Sequence, residues 1–232
     1  MAHICSKSDC GPCDGGNLGV VATNVLNDRP LRLSATHSYA VAELVDVLAV
    51  GEDSAALTFE YMAECCSTAM LSSTLKGIAA DESRHQLWLA RLKQALPEPA
   101  PDVALRRLLH RFFARLADRD MRVHLVRIVA LDSAVCQLLG ALQSAGTPVS
   151  KDAWTSAVLR AIQRDEARHV ALARRSAVPL VYTAHGKELM AEVRESLAHV
   201  LTFRAAAFDA LRIDPDRLLA RLRRLPRNGL VR

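Results

Sequence analysis

Two short segments decide how the rest of this sequence is interpreted: Asp81-Glu82-Ser83-Arg84-His85 and Asp165-Glu166-Ala167-Arg168-His169. On an α-helix, residues three positions apart lie on one face, so each segment directs its glutamate and its histidine to the same side. In both segments that side also carries the apolar residues of the helix. Charged groups that face a core are costly unless they are paired or bind a metal, and the repeated pattern therefore predicts a metal site.

The sequence around the two segments predicts helices. Alanine, leucine and arginine dominate, aromatic residues make up 4% of the chain, and apolar residues recur at spacings of three and four. We therefore expect an all-α fold, a four-helix bundle with additional C-terminal helices. The expected helices span residues 34 to about 66, about 70 to 96, 102 to about 145 with a break near 118–120, 150 or 152 to about 176, 187 to 211, and 214 to about 225.

Three regions are expected along the chain. Residues 1–33 form an irregular lead that contains cysteines, residues 34–212 form the bundle, and residues 213–232 form a basic helix and tail. The net charge of +5 lies largely in that tail, so it indicates only weakly an acidic partner such as nucleic acid. No apolar run suggests a membrane span or a signal peptide, and we expect a soluble, cytoplasmic protein.

A weak internal repeat places an acidic residue upstream of each segment. Residues 47–56 resemble residues 126–135, and each stretch precedes an Asp-Glu-x-Arg-His segment on the next expected helix. Glu52 and Asp132 both interrupt apolar stripes of these stretches. Two stacked helix pairs would bring both acids to the predicted metal site.

The first of these acids has two alternates. Asp53 aligns with Asp132 by identity, and Glu60 is within reach if the turn after the helix falls late. Asp53 shares its helix face with other acidic residues, which is typical of a solvated face. We therefore prefer Glu52, with Asp53 and Glu60 retained as alternates.

The order of one acid, Glu-x-x-His, one acid and Glu-x-x-His resembles the di-iron carboxylate proteins of the ferritin-like superfamily. The longer Asp-Glu-x-Arg-His form resembles the hydroxylase subunits of bacterial multicomponent monooxygenases. This chain is far shorter than those subunits, and Asp132 stands where they usually have glutamate. The resemblance implies a ferritin-like bundle in which Asp81, Arg84, Asp165 and Arg168 orient the metal ligands, and the ligands themselves are Glu52, Glu82, His85, Asp132, Glu166 and His169.

The resemblance also implies a function. It predicts a non-haem di-iron oxygenase or oxidase that uses dioxygen and an electron donor, a reductase or a ferredoxin, to hydroxylate, N-oxygenate or desaturate a small organic molecule. The cofactor would be two iron ions, with manganese as the alternative because the ligands are carboxylates and imidazoles. Cys136, one turn after Asp132, would line the substrate pocket or be a plain buried thiol. A homodimer is compatible with this assignment.

Three other functions are compatible with the same residues. The site could oxidise iron itself, as in an iron-handling ferroxidase. It could hydroxylate a modified tRNA, in which case the basic tail Arg217–Arg232 would bind the nucleic acid. The repeated segments could also be paired ions in a helical scaffold without catalytic function.

The N-terminal lead contains a second, weaker group of candidate ligands. Cys5, Cys10 and Cys13 follow His3 at the Cys-x4-Cys-x2-Cys spacing of plant-type ferredoxins, but the surrounding sequence lacks the pattern of that fold. We interpret these cysteines as either a second metal or redox site or a thiol-rich lead.

Overall fold

A computed structural model of the protein describes residues 31–224, and within this range it contains helices, turns and no β-strand. The predicted all-α class is confirmed. In chain order the elements are α1 (Ala35–Cys65), α2 (Ala69–Ala95), α3 (Val103–Leu116), α4 (Met121–Leu142), α5 (Pro148–Lys151), α6 (Ala153–Ser176), a 3-10 helix (Leu180–Tyr182), α7 (Ala184–Thr202), α8 (Ala205–Ala210) and α9 (Pro215–Arg223).

Two helix pairs form the centre of the fold. Helix α1 packs along α2, α4 packs along α6, and the two pairs meet where α2 contacts α6. The remaining helices surround this centre: α3 lies against α1 and α7, α7 lies against α4, and α9 packs on α7 and α4. The order of the pairs follows the internal repeat, and it brings both Asp-Glu-x-Arg-His segments to the contact between α2 and α6.

Side chains at the helix starts explain where several helices begin. Asp102 caps α3 by accepting a hydrogen bond from Leu105 N at 2.8 Å, and Asp152 caps α6 through Thr155 N at 2.8 Å. The second oxygen of Asp152 accepts a hydrogen bond from Arg32 N at 2.7 Å, which ties the residues before α1 to the bundle. Of the two starts expected for this helix, residues 150 and 152, the start at residue 152 is therefore confirmed. Ser150 belongs instead to α5, a short helix that the sequence did not predict.

The helix expected over residues 187–211 is wrong in two respects. It ends at Thr202, and a separate short helix, α8, folds back onto α1. Its start was also misplaced, because the helix begins at Ala184 and Gly186 lies inside its first turn. A Cβ atom on Gly186 would lie 2.1 Å from the carbonyl oxygen of Leu180, so the close approach of the backbone requires glycine at this position.

The core runs through the whole bundle as one cluster of buried apolar side chains, including Leu89, Leu139 and Ile162, which are fully buried. Helix α4 is long and apolar enough to span a membrane, with a mean hydropathy of 1.7, but 72% of that stretch is buried inside the protein. A mostly buried apolar helix is also found in the core of soluble proteins, so this helix is compatible with the expected soluble protein.

We predict that Leu89→Ala lowers the free energy of unfolding by about 2 to 5 kcal/mol, because the smaller side chain leaves a cavity in a close-packed core. Leu87→Ala on the same helix is the matched control, since Leu87 is 65% exposed and Leu89 is fully buried. The control should change the free energy of unfolding by less than about 0.5 kcal/mol. Urea denaturation of both variants measures the difference, and similar losses would contradict the packing described here.

Candidate metal centre

Six buried side chains from four helices converge at the centre of the bundle. They form two groups that share Glu166, and within each group the ligand atoms all lie within 4.8 Å of one another. Each of the four long helices contributes one acid, and α2 and α6 add one histidine each. The first group is Glu52, Glu82, His85 and Glu166, and the second is Asp132, Glu166 and His169.

The two glutamates of the repeated segments lie between the two histidines. Glu82 lies 3.3 Å from Nδ1 of His85 and 3.0 Å from Nδ1 of His169, and Glu166 lies 3.6 and 3.7 Å from the same two atoms. Glu166, which belongs to both groups, and Glu82, which is close to both histidines, would therefore help to hold either ion. Glu52 is near one histidine only, 3.1 Å from Nδ1 of His85, and would hold the ion of that group. Asp132 takes the equivalent place in the group of His169.

The aspartates of the two segments cross between helices. Asp81 of α2 lies 3.1 Å from Nε2 of His169 on α6, and Asp165 of α6 lies 3.2 Å from Nε2 of His85 on α2. Each histidine is thus held by the aspartate of the other segment. In each pair Nε2–H donates a hydrogen bond to the aspartate carboxylate, and Nδ1 of each ring is the nitrogen that lies near Glu82 and Glu166.

The arginines of the segments join the two aspartates on the outer side. Arg84 donates to Asp81 at 2.5 Å and to Asp165 at 2.9 Å, and Arg168 forms ion pairs with the same two carboxylates. The guanidinium of Arg84 also lies 5.3 Å from the ring centre of Trp88, whose indole is 5.6 Å from the His85 ring. The ion pairs link the two helices and hold the aspartates in place. The pKa of Asp165 falls to about 2, because its hydrogen bonds to His85 and Arg84 outweigh the effect of its burial.

Burial changes the charge that the acids of the centre carry when no metal is bound. Desolvation raises the pKa of Glu52 and of Asp132 well above the ordinary range, and it raises that of Glu166 with a further contribution from the charge of Glu82. The pKa of Glu82 is lowered instead, because its close approach to the rings of His169 and His85 outweighs its desolvation.

The pKa values of both histidines are raised, so both rings are protonated in the metal-free centre. Burial acts to lower the pKa of both rings, but it is outweighed by their carboxylate neighbours. The bond to Asp165, with help from Glu52 and Glu82, raises the pKa of His85 to about 11. The bond to Asp81 is the main cause of the rise for His169, to about 12. Protons therefore occupy the metal-free centre and partly balance its negative charge.

The donor atoms fit two divalent cations. Nδ1 of His169 and Oδ2 of Asp132 are buried and make no hydrogen bond to any described residue, although that Nδ1 lies 3.0 Å from Glu82. A buried polar atom without a partner is costly, and a metal ion would remove that cost for both atoms. Two divalent cations would also balance the four carboxylates of the centre. Oxygen and imidazole donors without thiolates suit iron or manganese better than metals that prefer sulfur.

The alternates for Glu52 lie outside the centre. Asp53 is exposed and accepts a hydrogen bond from Gln86 at 3.0 Å, and Glu60 is exposed near the end of α1. The identity alignment of the repeat was therefore misleading by one residue, because Glu52 and not Asp53 occupies the position that corresponds to Asp132. Burial of the side chain decides between the two neighbours, since consecutive residues of a helix point about 100° apart.

An apolar cavity of about 70 Å³ lies beside the acids, between α1 and α4, and is covered by α3 and α7. Its lining combines four of the carboxylates with aliphatic and aromatic side chains such as Val47, Phe113 and Leu197. The prediction that Cys136 lines this pocket is wrong. Its thiol donates instead to Gln163 O on α6 at 3.7 Å, and burial raises its pKa, so Cys136 is a packed thiol in the contact between α4 and α6.

Two features of the site were not predicted from the sequence. The first is that Asp81 and Asp165 each contact the histidine of the other segment, which depends on the antiparallel contact of α2 with α6. The aspartate that both segments share was the one sequence feature that could have indicated this arrangement. The second is that α3 and α7 cover the cavity. No local sequence pattern predicts this, because it depends on how the outer helices pack back onto the bundle. The candidate ligands Cys5, Cys10 and Cys13 lie outside the described residues.

Comparisons with protein-family models, with curated proteins and with solved structures find no match to this chain. The residues of the centre and their geometry are therefore what indicates the function of this chain.

We predict that the metal-free protein loses stability as the pH rises from about 6.5 to 11. The folded protein keeps protons on His85 and His169 that the unfolded chain releases above about pH 6.5, so their stabilisation is present below that pH and is lost as the pH approaches 11 to 12. The raised pKa values of the buried acids act in the same direction. Urea unfolding of chelator-treated protein between pH 6 and 10 measures the decline.

The control is the double variant His85→Gln with His169→Gln, which cannot take up these protons. Its free energy of unfolding should depend much less on pH over the same range. An equally steep decline in the double variant would show that groups elsewhere in the protein cause it.

Proposed function

We propose that this protein is a non-haem di-iron oxidoreductase of the ferritin-like class, an oxygenase or oxidase that uses dioxygen to oxidise a small organic molecule. The observation that carries the proposal is the convergence of four carboxylates and two crossed histidines beside an apolar cavity. The four acidic side chains of the candidate metal centre also line the apolar cavity. A molecule in the cavity would therefore lie next to the metals.

Two iron ions, when bound, would supply the redox chemistry that reduces dioxygen. In an oxygenase, dioxygen, two electrons and two protons convert one C–H group of the substrate into C–OH and release one water. The electrons must come from an external donor, a reductase or a ferredoxin, because the proposed substrate already loses two electrons in the reaction. In a desaturase reaction the substrate loses two hydrogens, and with two further electrons from the donor and two protons from the solvent both oxygen atoms leave as water.

The residues of the chain have separate tasks in this scheme. Glu82 and Glu166 would help to hold both ions, and Glu52 and Asp132 would each help to hold one. The aspartates Asp81 and Asp165 would hold the histidine rings by Nε2, which leaves Nδ1 of each ring to bind metal. Because the site lies within a packed core, it excludes bulk water from the place where the substrate is oxidised.

The cavity favours an organic substrate over iron handling. Its walls are largely apolar, whereas an entry route for iron would be lined with acidic side chains along its length. The carboxylates of this cavity are all at its metal end.

We predict that the purified protein binds about two Fe(II) ions per chain under anaerobic conditions. His85→Ala and His169→Ala should each lose at least one of these ions, because each histidine belongs to a different group of ligands. Metal analysis with optical and Mössbauer spectroscopy measures both the number and the environment of the ions.

The matched controls are Asp53→Asn and Glu60→Gln, which remove the exposed carboxylates beside Glu52 on the same helix. Both controls should bind iron as the wild type does, whereas Glu52→Gln should not. Loss of iron in a control, or an absence of iron in the wild type, would contradict the proposed centre.

We further predict that the iron-loaded protein consumes oxygen when a chemical reductant is supplied, and that Asp81→Ala slows this reaction by about 10- to 100-fold by releasing the His169 ring. An oxygen electrode measures the rate. A protein that only oxidises added Fe(II), and that stops when free iron is exhausted despite the reductant, would be a ferroxidase and not the proposed enzyme.

A further inference from the structure

The cavity contains one buried histidine that the metal centre does not use. His124, on the first turn of α4, is 3% exposed and lines the cavity at a distance from the candidate ligands. It lies eight residues before Asp132 on the same helix, a separation of about 12 Å along the helix axis. The metal end and the His124 end therefore bound the same apolar space.

The two nitrogens of His124 differ. Nδ1 lies 2.9 Å from the carbonyl oxygen of Leu116, the last residue of α3, and a carbonyl can only accept a hydrogen bond. Nδ1 must therefore carry a proton. Nε2 is buried and has no hydrogen-bond partner among the described residues. Burial lowers the pKa of this histidine, so the ring is neutral and Nε2 holds a free lone pair.

A fixed acceptor without a partner is costly in an apolar wall unless a ligand satisfies it. The bond to Leu116 prevents the ring from turning over to exchange its nitrogens. The other neutral polar side chains of the cavity are Ser54 and Thr58, and the hydroxyl of Thr58 already donates to Ser54 O at 2.7 Å. His124 is thus the side chain best placed to accept a hydrogen bond from a molecule in the cavity.

We propose that His124 is a substrate-binding residue, whose Nε2 accepts a hydrogen bond from an N–H or O–H group of the substrate while the apolar part of the molecule extends towards the metal centre. The substrate class is then a small, mainly apolar alcohol, amine or N–H heterocycle. A molecule without a donor group would leave Nε2 unsatisfied and bind less tightly. This inference rests on the proposed function for the identity of the site but concerns binding only.

The size of the cavity limits the substrate. A cavity of about 150 Å³ holds benzene, and this one, at about 70 Å³, is smaller, so it suits a molecule with few heavy atoms unless the walls move. Pyrrole and furan are suitable probes because they are five-membered rings of nearly the same shape. Pyrrole has an N–H donor, and furan has none.

The experiment compares the dissociation constants of pyrrole and furan by calorimetry, using the full-length protein under anaerobic conditions. The wild type should bind pyrrole about five- to tenfold more tightly than furan. In His124→Phe the preference should disappear, because phenylalanine is a ring of similar size without a hydrogen-bond acceptor, while Arg127 still donates to Leu116 O at 3.3 Å. Thr58→Val, the control at the other polar position of the cavity, should keep the preference.

Equal affinities in the wild type, no binding of pyrrole, or a preference that survives in His124→Phe would overturn the inference. Should His124→Phe fail to fold, nitrogen NMR of labelled histidine in the wild type gives the same answer: pyrrole, but not furan, should shift the Nε2 resonance of His124 to lower frequency. Metal analysis of the same samples separates the two proposals. A preference that depends on His124 in a protein that binds no iron would leave this inference standing while the proposed function fails.

Discussion

The constraint on which this structure depends is the burial of four carboxylates and two imidazoles in an apolar bundle. Bringing so many charged groups out of water is unfavourable unless each one has a partner. The crossed pairs, Asp81 with His169 and Asp165 with His85, meet part of this requirement and also join α2 to α6. In the metal-free protein, bound protons balance part of the negative charge of the carboxylates, and two divalent cations would balance it more completely.

The crossing has a consequence for the geometry of the whole centre. Each histidine depends on a carboxylate from the opposite helix, so the ring position is determined by the contact between the two helix pairs and not by either helix alone. The arginines Arg84 and Arg168 add ion pairs across the same contact. The centre and the contact between the pairs therefore stabilise each other, and a shift of α2 against α6 would disturb all six candidate ligands.

The outer helices enclose the cavity beside the candidate metal centre. Helices α3 and α7 cover the space between α1 and α4, and this cover encloses the cavity beside the acids. The cap that ends α3 is coupled to the cavity, because the carbonyl of Leu116 orients the ring of His124. The same hydrogen bond fixes the ring of a histidine that lines the cavity.

Much of this protein was determined by the local sequence. The helices, most of their ends and the pairing of Glu82 with His85 and of Glu166 with His169 follow from periodicity and spacing, which act over one or two turns. The apolar stripe of the sequence already favoured Glu52 over Asp53. Only the tertiary structure decided that Cys136 packs against Gln163 outside the cavity and that each aspartate serves the opposite histidine. These choices depend on small rotations of long helices and on contacts between residues more than eighty positions apart, for example Asp81 with His169, and no local pattern records them.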